Sequence, residues 1–353
     1  MAKRVSLKKP IIKTTKQLLK LQQQLTKQAK TILPEQLKAA NVLLTRPDPQ
    51  KRGIWKKHVF IAPAFANVRL VPRLDYYIFE PSPSARHPTT QGMPLVVMLH
   101  GCHQDSALFA QGSQMNVVAQ RNGFVVLYPQ QSRSYHVTKC WRWHDLADTH
   151  GMAEALSIMK IIQSTIFMHR LDPNKVFVVG LSAGAAMAGT LATTFPSQFA
   201  GLAMHSGPVL GRAYDTQTAV KTMQDGQLDS DQALAKYMSI FAPPKRQQMP
   251  TIIIQGEKDK VVHRRNATEL VKQFLHFNQL PINSLAKTSY FFQNTKKEYS
   301  QSLYRDGRKR MMELIRIKHL DHAWAGGDHR LPFNSPHGPQ SSQLIWHFFK
   351  RHL

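Results

Sequence analysis

The stretch Lys175–Phe195, KVFVVGLSAGAAMAGTLATTF, constrains the fold of this chain more than any other. Val176–Val179 is a short β-branched and aromatic run, the mark of a buried strand, and the alanine-rich half that follows favours a helix. Between them stands Gly180-Leu181-Ser182-Ala183-Gly184, a Gly-x-Ser-x-Gly pattern at the junction of strand and helix. In that context the serine is expected on a strained nucleophile elbow, where a side chain two residues to either side would collide with neighbouring backbone. Ala185, Ala186, Ala188 and Gly189 would let the helix lie close to its sheet. The competing reading is an ordinary tight turn whose serine caps the helix.

A serine hydroxyl is a poor nucleophile at neutral pH and needs a histidine to take its proton, with a carboxylate to hold that histidine's tautomer. After an elbow of this kind the chain order is serine, acid, histidine. In MPTIIIQGEKDKVV a buried-strand run, Thr251–Ile254, leads into a turn with Glu257 and Asp259. Asp259 is the better acid because it sits past the strand end, while Glu257 lies nearer the strand. In MELIRIKHLDHAWAGGDH a strand is followed by His319, His322 and His329, of which His322 occupies the loop. His319, Asp321, His322, Asp328 and His329 also raise a zinc or iron reading, but no second histidine cluster completes a ligand set. Neither a metal nor any other cofactor is expected.

Stabilising the oxyanion requires two N–H donors. One is expected from Ala183, directly after the nucleophile. PLVVMLHGCHQD supplies the other: a strand, Leu95–Leu99, then a glycine that lets the backbone turn inward and present the N–H of Cys102.

LHGCHQD, CWRW, GLSAGAAMA, the aspartate loop after TIIIQG, DHAWAGG and the ending GPQSSQLIWHFFKRH together resemble the polyhydroxybutyrate-depolymerase family of esterases, over roughly Tyr76 to the C-terminus. The resemblance implies an α/β-hydrolase fold. It also implies hydrolysis of polyhydroxyalkanoate or of smaller acyl, acetyl or feruloyl esters through an acyl-enzyme, with Ser182, Asp259 and His322 as the triad. Trp141 and Trp143 fall where that family lines its substrate cleft, and His103, Gln104 and Trp324 are expected beside them. Two alternatives stand: a serine peptidase or other acyl hydrolase on the same fold, and a non-catalytic protein that coats granules or membranes.

The 353 residues, 42% of them hydrophobic, suffice for one large domain with an extension, divided as residues 1–50 and 51–353. Strand patterns near Val59–Ala62, Tyr76–Phe79, Leu95–Leu99, Phe124–Leu127, Val176–Val179, Leu202–His205, Thr251–Ile254 and Met312–Lys318 alternate with helical stretches beyond about residue 100. That is an α/β protein with a mostly parallel, doubly wound sheet and helices on both faces.

Forty-seven Lys and Arg against 21 Asp and Glu give a net charge of +26. Leu18, Leu21, Leu25, Ala29 and Ile32 share one face of a helical wheel, opposite Lys13, Lys16, Lys20, Lys27 and Lys30, and Pro34 ends the run. Residues 13–33 therefore read as a basic amphipathic helix suited to an anionic granule or membrane surface, or packed on the catalytic domain. No zinc-finger or RNA-binding signature accompanies the charge, so nucleic acid is not an expected partner. No stretch reaches transmembrane length and the N-terminus shows no signal-peptide pattern. The expected location is cytoplasmic with reduced Cys102 and Cys140; export by another route, where the two could pair, is the alternative.

Overall fold

The computed structural model describes residues 53–64, 66–85, 92–146, 150–225, 230–241 and 248–353. The helix expected over residues 13–33 lies outside these. The strands are β1 (Ile54–Ile61), β2 (Arg73–Glu80), β3 (Leu95–Leu99), β4 (Val125–Gln130), β5 (Val176–Leu181), β6 (Gly201–His205), β7 (Thr251–Gly256), β8 (Lys287–Phe291), β9 (Tyr299–Asp306) and β10 (Lys309–Ile317). They form one ten-stranded sheet in the order β1-β2-β4-β3-β5-β6-β7-β10-β9-β8. The six strands from β4 through β10 pair in parallel, and antiparallel strands extend each margin.

Central strands are apolar without interruption because both of their faces are covered. LVVML of β3 is buried at every position, and its side chains alternate between two cores. Leu95, Val97 and Leu99 join Val176 and Val178 in one; Val96 and Met98 join Phe177 and Val179 in the other. The first core is closed by α3 (His150–His169), α4 (Ala183–Thr194) and α7 (Arg265–Phe277), with α5 (Thr216–Asp225) and α6 (Asp231–Phe241) adding Ala219 and Met238. The second is closed by α1 (Ser106–Ser113), α2 (Met115–Asn122) and α8 (Ser341–Phe349), where Phe349 stacks on Phe177 at 4.4 Å and Trp346 on Phe124 at 4.0 Å. No helix among the described residues is long and apolar enough to cross a membrane.

Two margins of the sheet differ from the expectation. Val59–Ala62 marks only the latter half of β1, and β8 and β9 were not expected at all. KTSYF and YSQSLYRD are partly exposed along most of their length, so they carry no apolar run; pairing of β9 with β10, and of β8 with β9, holds them in the sheet.

The elbow is where sequence and packing meet. Ser182 has φ 58° and ψ −122°, and its backbone N–H donates to the His205 carbonyl at 2.9 Å. Its side chain makes no capping hydrogen bond to α4, which removes the reading of a simple helix cap. A Cβ on Gly180 would lie 2.1 Å from the Gly184 oxygen, and one on Gly184 would lie 2.2 Å from the Leu99 oxygen. Both neighbours are backbone of buried strand or helix and cannot give way. Gly184→Ala should therefore destabilise the protein by about 3 kcal/mol or more, against about 1 kcal/mol for Ala186→Gly in the same helix. Urea unfolding checks this, and a loss below about 1 kcal/mol for Gly184→Ala would contradict the contact.

Candidate active site

Ser182, Asp259 and His322 come from three loops at the carboxyl ends of β5, β7 and β10, where open α/β sheets bind their ligands. The turn after β7 buries Asp259, whose Oδ1 accepts the N–H groups of Val261 at 2.9 Å and Val262 at 2.8 Å. Its Oδ2 accepts from Gln255 Nε2 at 3.2 Å and from His322 Nδ1 at 2.8 Å. Burial alone would push this carboxyl up. The charge and hydrogen bond of His322, with the two backbone N–H groups, outweigh burial and hold it below its ordinary value. Burial likewise would push the His322 imidazole down, yet the Asp259 carboxylate and, less strongly, Asp321 hold it above its ordinary 6.5. With Nδ1 committed to Asp259, Nε2 is left to accept a proton.

His322 and Ser182 line one cavity of about 270 Å³, together with Cys102, His103, Gln104, Trp141, Trp143 and Ala183. Glu257, the other candidate acid, donates its backbone N–H to the Ile317 carbonyl, sets its charge against Arg316 and does not line the cavity. The His319 carbonyl accepts from His337 Nδ1, Asp328 is paired with Arg330 and His329 is exposed, so none of these joins the cavity.

The loop after β3 turns at His103, which has φ 62°, so a non-glycine residue takes the left-handed bend rather than Gly101. Gln104 Oε1 accepts the Gly101 N–H at 2.8 Å, and the His103 N–H donates to the Thr138 carbonyl at 2.7 Å. The N–H groups of Cys102 and Ala183 make no hydrogen bond among the described residues. In contrast to the expected free thiols, Cys102 and Cys140 are joined in a disulfide that ties this loop to the segment carrying Trp141.

Trp141 is fully buried with Nε1 donating to the His100 carbonyl at 3.0 Å, and Trp143 is 4% exposed; both nonetheless form the cavity wall. Trp324, expected in the cleft, is instead a core residue. Its ring stacks on His205 at 4.9 Å and meets Phe109 edge-on at 5.4 Å, and it does not reach the cavity. His205 gives that stacking a purpose: its carbonyl holds the Ser182 N–H, while its Nε2 accepts from the Ala325 N–H at 3.3 Å. Burial, reinforced by the nearby His322, pushes its imidazole down to about 3, so it stays neutral behind the elbow.

Several residues at this site carry no local sequence signal. His136 and His144 join His103 on the wall, and burial pushes all three imidazoles down. His103 Nε2 and His144 Nδ1 are buried without a hydrogen-bond partner among the described residues. Glu154 of α3 is buried behind the tryptophan wall. A buried glutamate within a helical pattern reads, in sequence, as one more solvated charge.

A strained serine on the turn between β5 and α4, on one cavity with a partly exposed histidine held by a buried aspartate at the ends of parallel strands, defines an α/β-hydrolase. The sequence pattern of the family described as Esterase PHB depolymerase matches residues 74–290, more than half of the chain. The chain belongs to that family. It is 35% identical over 196 residues to poly(3-hydroxyalkanoate) depolymerase C of Paucimonas lemoignei, covering 52% of this chain and 45% of that protein. It is 27% identical over 212 residues to feruloyl esterase B of Thermothelomyces thermophilus, covering 57% and 69% of the two chains. Against the probable acetylxylan esterase A of Aspergillus fumigatus it is 30% identical over 210 residues, 56% of this chain and 53% of that one. The chain thus spans about half the length of two of these three relatives. Among solved structures, the acetyl xylan esterase of Aspergillus awamori superposes with a TM-score of 0.67 at 20% identity, over 85% of this chain and all of that one, which establishes the shared fold.

The base must be neutral to act, so kcat/KM should rise with pH as His322 loses its proton. Because Asp259 raises this group, the midpoint of that rise should lie above 6.5. Asp259→Asn should lower it and cut the rate by about 10⁴-fold. A pH series with p-nitrophenyl butyrate checks this; a wild-type midpoint at or below the ordinary histidine value would contradict the pairing.

Proposed function

We propose that this chain is a serine hydrolase of carboxylic esters working through an acyl-enzyme, and that it takes short acyl or poly(3-hydroxyalkanoate)-type chains. The observation that carries the reading is the 2.8 Å Asp259–His322 bond beside a strained Ser182 on the same cavity. His322 Nε2 takes the Ser182 hydroxyl proton as Oγ attacks the ester carbonyl carbon. The N–H groups of Cys102 and Ala183 receive the oxyanion, and His322 returns the proton to the departing alcohol. Water then repeats the sequence on the acyl-enzyme, giving up its proton to His322 and releasing the acid and a restored Ser182. Asp259 remains ionised throughout.

The cavity supports the substrate class. At about 270 Å³ it has room for a short acyl unit. Its wall is apolar and aromatic, with neutral histidines whose unpartnered nitrogens suit ester or hydroxyl oxygens. Relatives named for poly(3-hydroxyalkanoate), acetylxylan and feruloyl substrates share the ester bond, which supports the reading at the level of ester hydrolysis. Residues 13–33, with their leucine stripe and lysine face, are proposed to attach the enzyme to an anionic granule or membrane surface.

Two outcomes follow. On a panel of p-nitrophenyl acetate, p-nitrophenyl butyrate, 3-hydroxybutyrate oligomers and methyl ferulate, the short aliphatic esters should lead by about tenfold or more in kcat/KM. Ser182→Ala should abolish them all by about 10⁴-fold; preference for the ferulate, or for an aminoacyl nitroanilide, would contradict the assignment. Deleting residues 1–50 should leave soluble-ester turnover within about threefold while weakening co-sedimentation with anionic vesicles in a salt-sensitive way. Unchanged sedimentation would place the surface affinity in the catalytic domain.

A further inference from the structure

Behind the cavity wall runs a chain of buried polar groups that the proposed mechanism does not use. Glu154, on α3, is fully buried, as are Gln131 and His100. Glu154 Oε2 accepts the backbone N–H of Arg142, the residue between the two wall tryptophans, at 2.7 Å. Its Oε1 accepts from Gln131 Nε2 at 2.6 Å, and that same amide donates to the Cys140 carbonyl at 3.1 Å. The Gln131 backbone N–H donates to His100 Nε2 at 3.1 Å, and His100 Nδ1 donates to the Gly101 carbonyl at 2.8 Å. The His100 carbonyl in turn accepts from Trp141 Nε1. One carboxyl thus anchors both the strand-end loop that bears the Cys102 N–H and the segment Cys140–Trp143.

We propose that Glu154 is a positioning residue, fixing the oxyanion loop and the Trp141–Trp143 wall relative to Ser182 through Gln131 and His100. The proposal rests on the reading of Ser182 as nucleophile and of the Cys102 N–H as oxyanion donor. Its logic is electrostatic. Both carboxyl oxygens face N–H donors, so the ionised form satisfies both donors at full strength, whereas a protonated oxygen meets its donor weakly.

Burial pushes this carboxyl up to about 8, partly offset by the Arg142 and Gln131 N–H groups and the Arg142 charge, with Asp145 pushing the other way. Tyr135, from the neighbouring loop, also faces it, and the Arg142 guanidinium lies over the Tyr135 ring at 5.8 Å. As pH climbs through that value Glu154 ionises, both bonds tighten and kcat should increase. This second rise would lie above the one due to His322.

The test uses the full chain with p-nitrophenyl butyrate from pH 6 to 9.5, recording kcat and KM separately. Wild type should show the second rise in kcat near pH 8. Glu154→Gln, which turns an amide toward a backbone donor, should lower kcat about 10–100-fold, since small misplacements near the reacting centre carry such losses. Its KM should stay within about threefold, and the second rise should vanish. Gln131→Met removes a donor that favours the carboxylate, so the second rise should move to higher pH.

Unchanged kcat in Glu154→Gln, or a second rise that survives the substitution, would overturn the proposal. If Glu154→Gln does not fold, the wild-type and Gln131→Met profiles decide, and a single rise in both overturns it. Ser182→Ala runs beside them: turnover in that variant would sink the nucleophile assignment itself, an outcome separable from any result at Glu154.

Discussion

The close approach of α4 to β3 and β5 is the contact on which the rest of the site depends. It is possible only because Gly180 and Gly184 present bare backbone to each other and to the Leu99 carbonyl, where any Cβ would lie about 2 Å from an oxygen. That approach forces Ser182 into φ 58° and leaves it at the tip of the turn. The His205 carbonyl and the buried stacking of His205 on Trp324 support the turn from behind. Strain at a reactive residue persists only when its surroundings over-determine it, and here strand, helix and a neutral histidine all do so.

Around that fixed serine the charges are few and confined. Asp259 is the carboxylate that meets His322, and four acceptor contacts to its two oxygens keep it ionised in spite of burial. Neighbouring imidazoles are kept neutral by the same burial that raises Glu154. A cavity of neutral aromatic and imidazole groups suits an uncharged ester.

Much of this was legible in the sequence because the relevant signals are local. A strand run followed by Gly-x-Ser-x-Gly specifies the elbow, and a loop residue past each later strand identifies Asp259 and His322 among neighbours such as Glu257, His319 and His329. The parallel strands announce themselves because burial on both faces demands unbroken apolar runs. What was not legible is non-local. β8 and β9 carry no apolar run and owe their place to pairing, β9 with β10 and β8 with β9. Trp324 follows His322 by two residues yet turns into the core against Phe109, a direction set by the packing of α1. Glu154 becomes meaningful only once Gln131 and Arg142, 23 and 12 residues away, converge on it. Pairing of Cys102 with Cys140, 38 residues apart, depends on two loops meeting in space.

The central claim is that Ser182 is the nucleophile, and the most direct measurement is covalent trapping. Reaction with a fluorophosphonate, followed by peptide mapping by mass spectrometry, should place one adduct per chain on Ser182, with ester hydrolysis lost in step with labelling. His322→Ala should slow that labelling by orders of magnitude without unfolding the protein. An adduct on another residue, or full ester turnover with Ser182 blocked, would contradict the account.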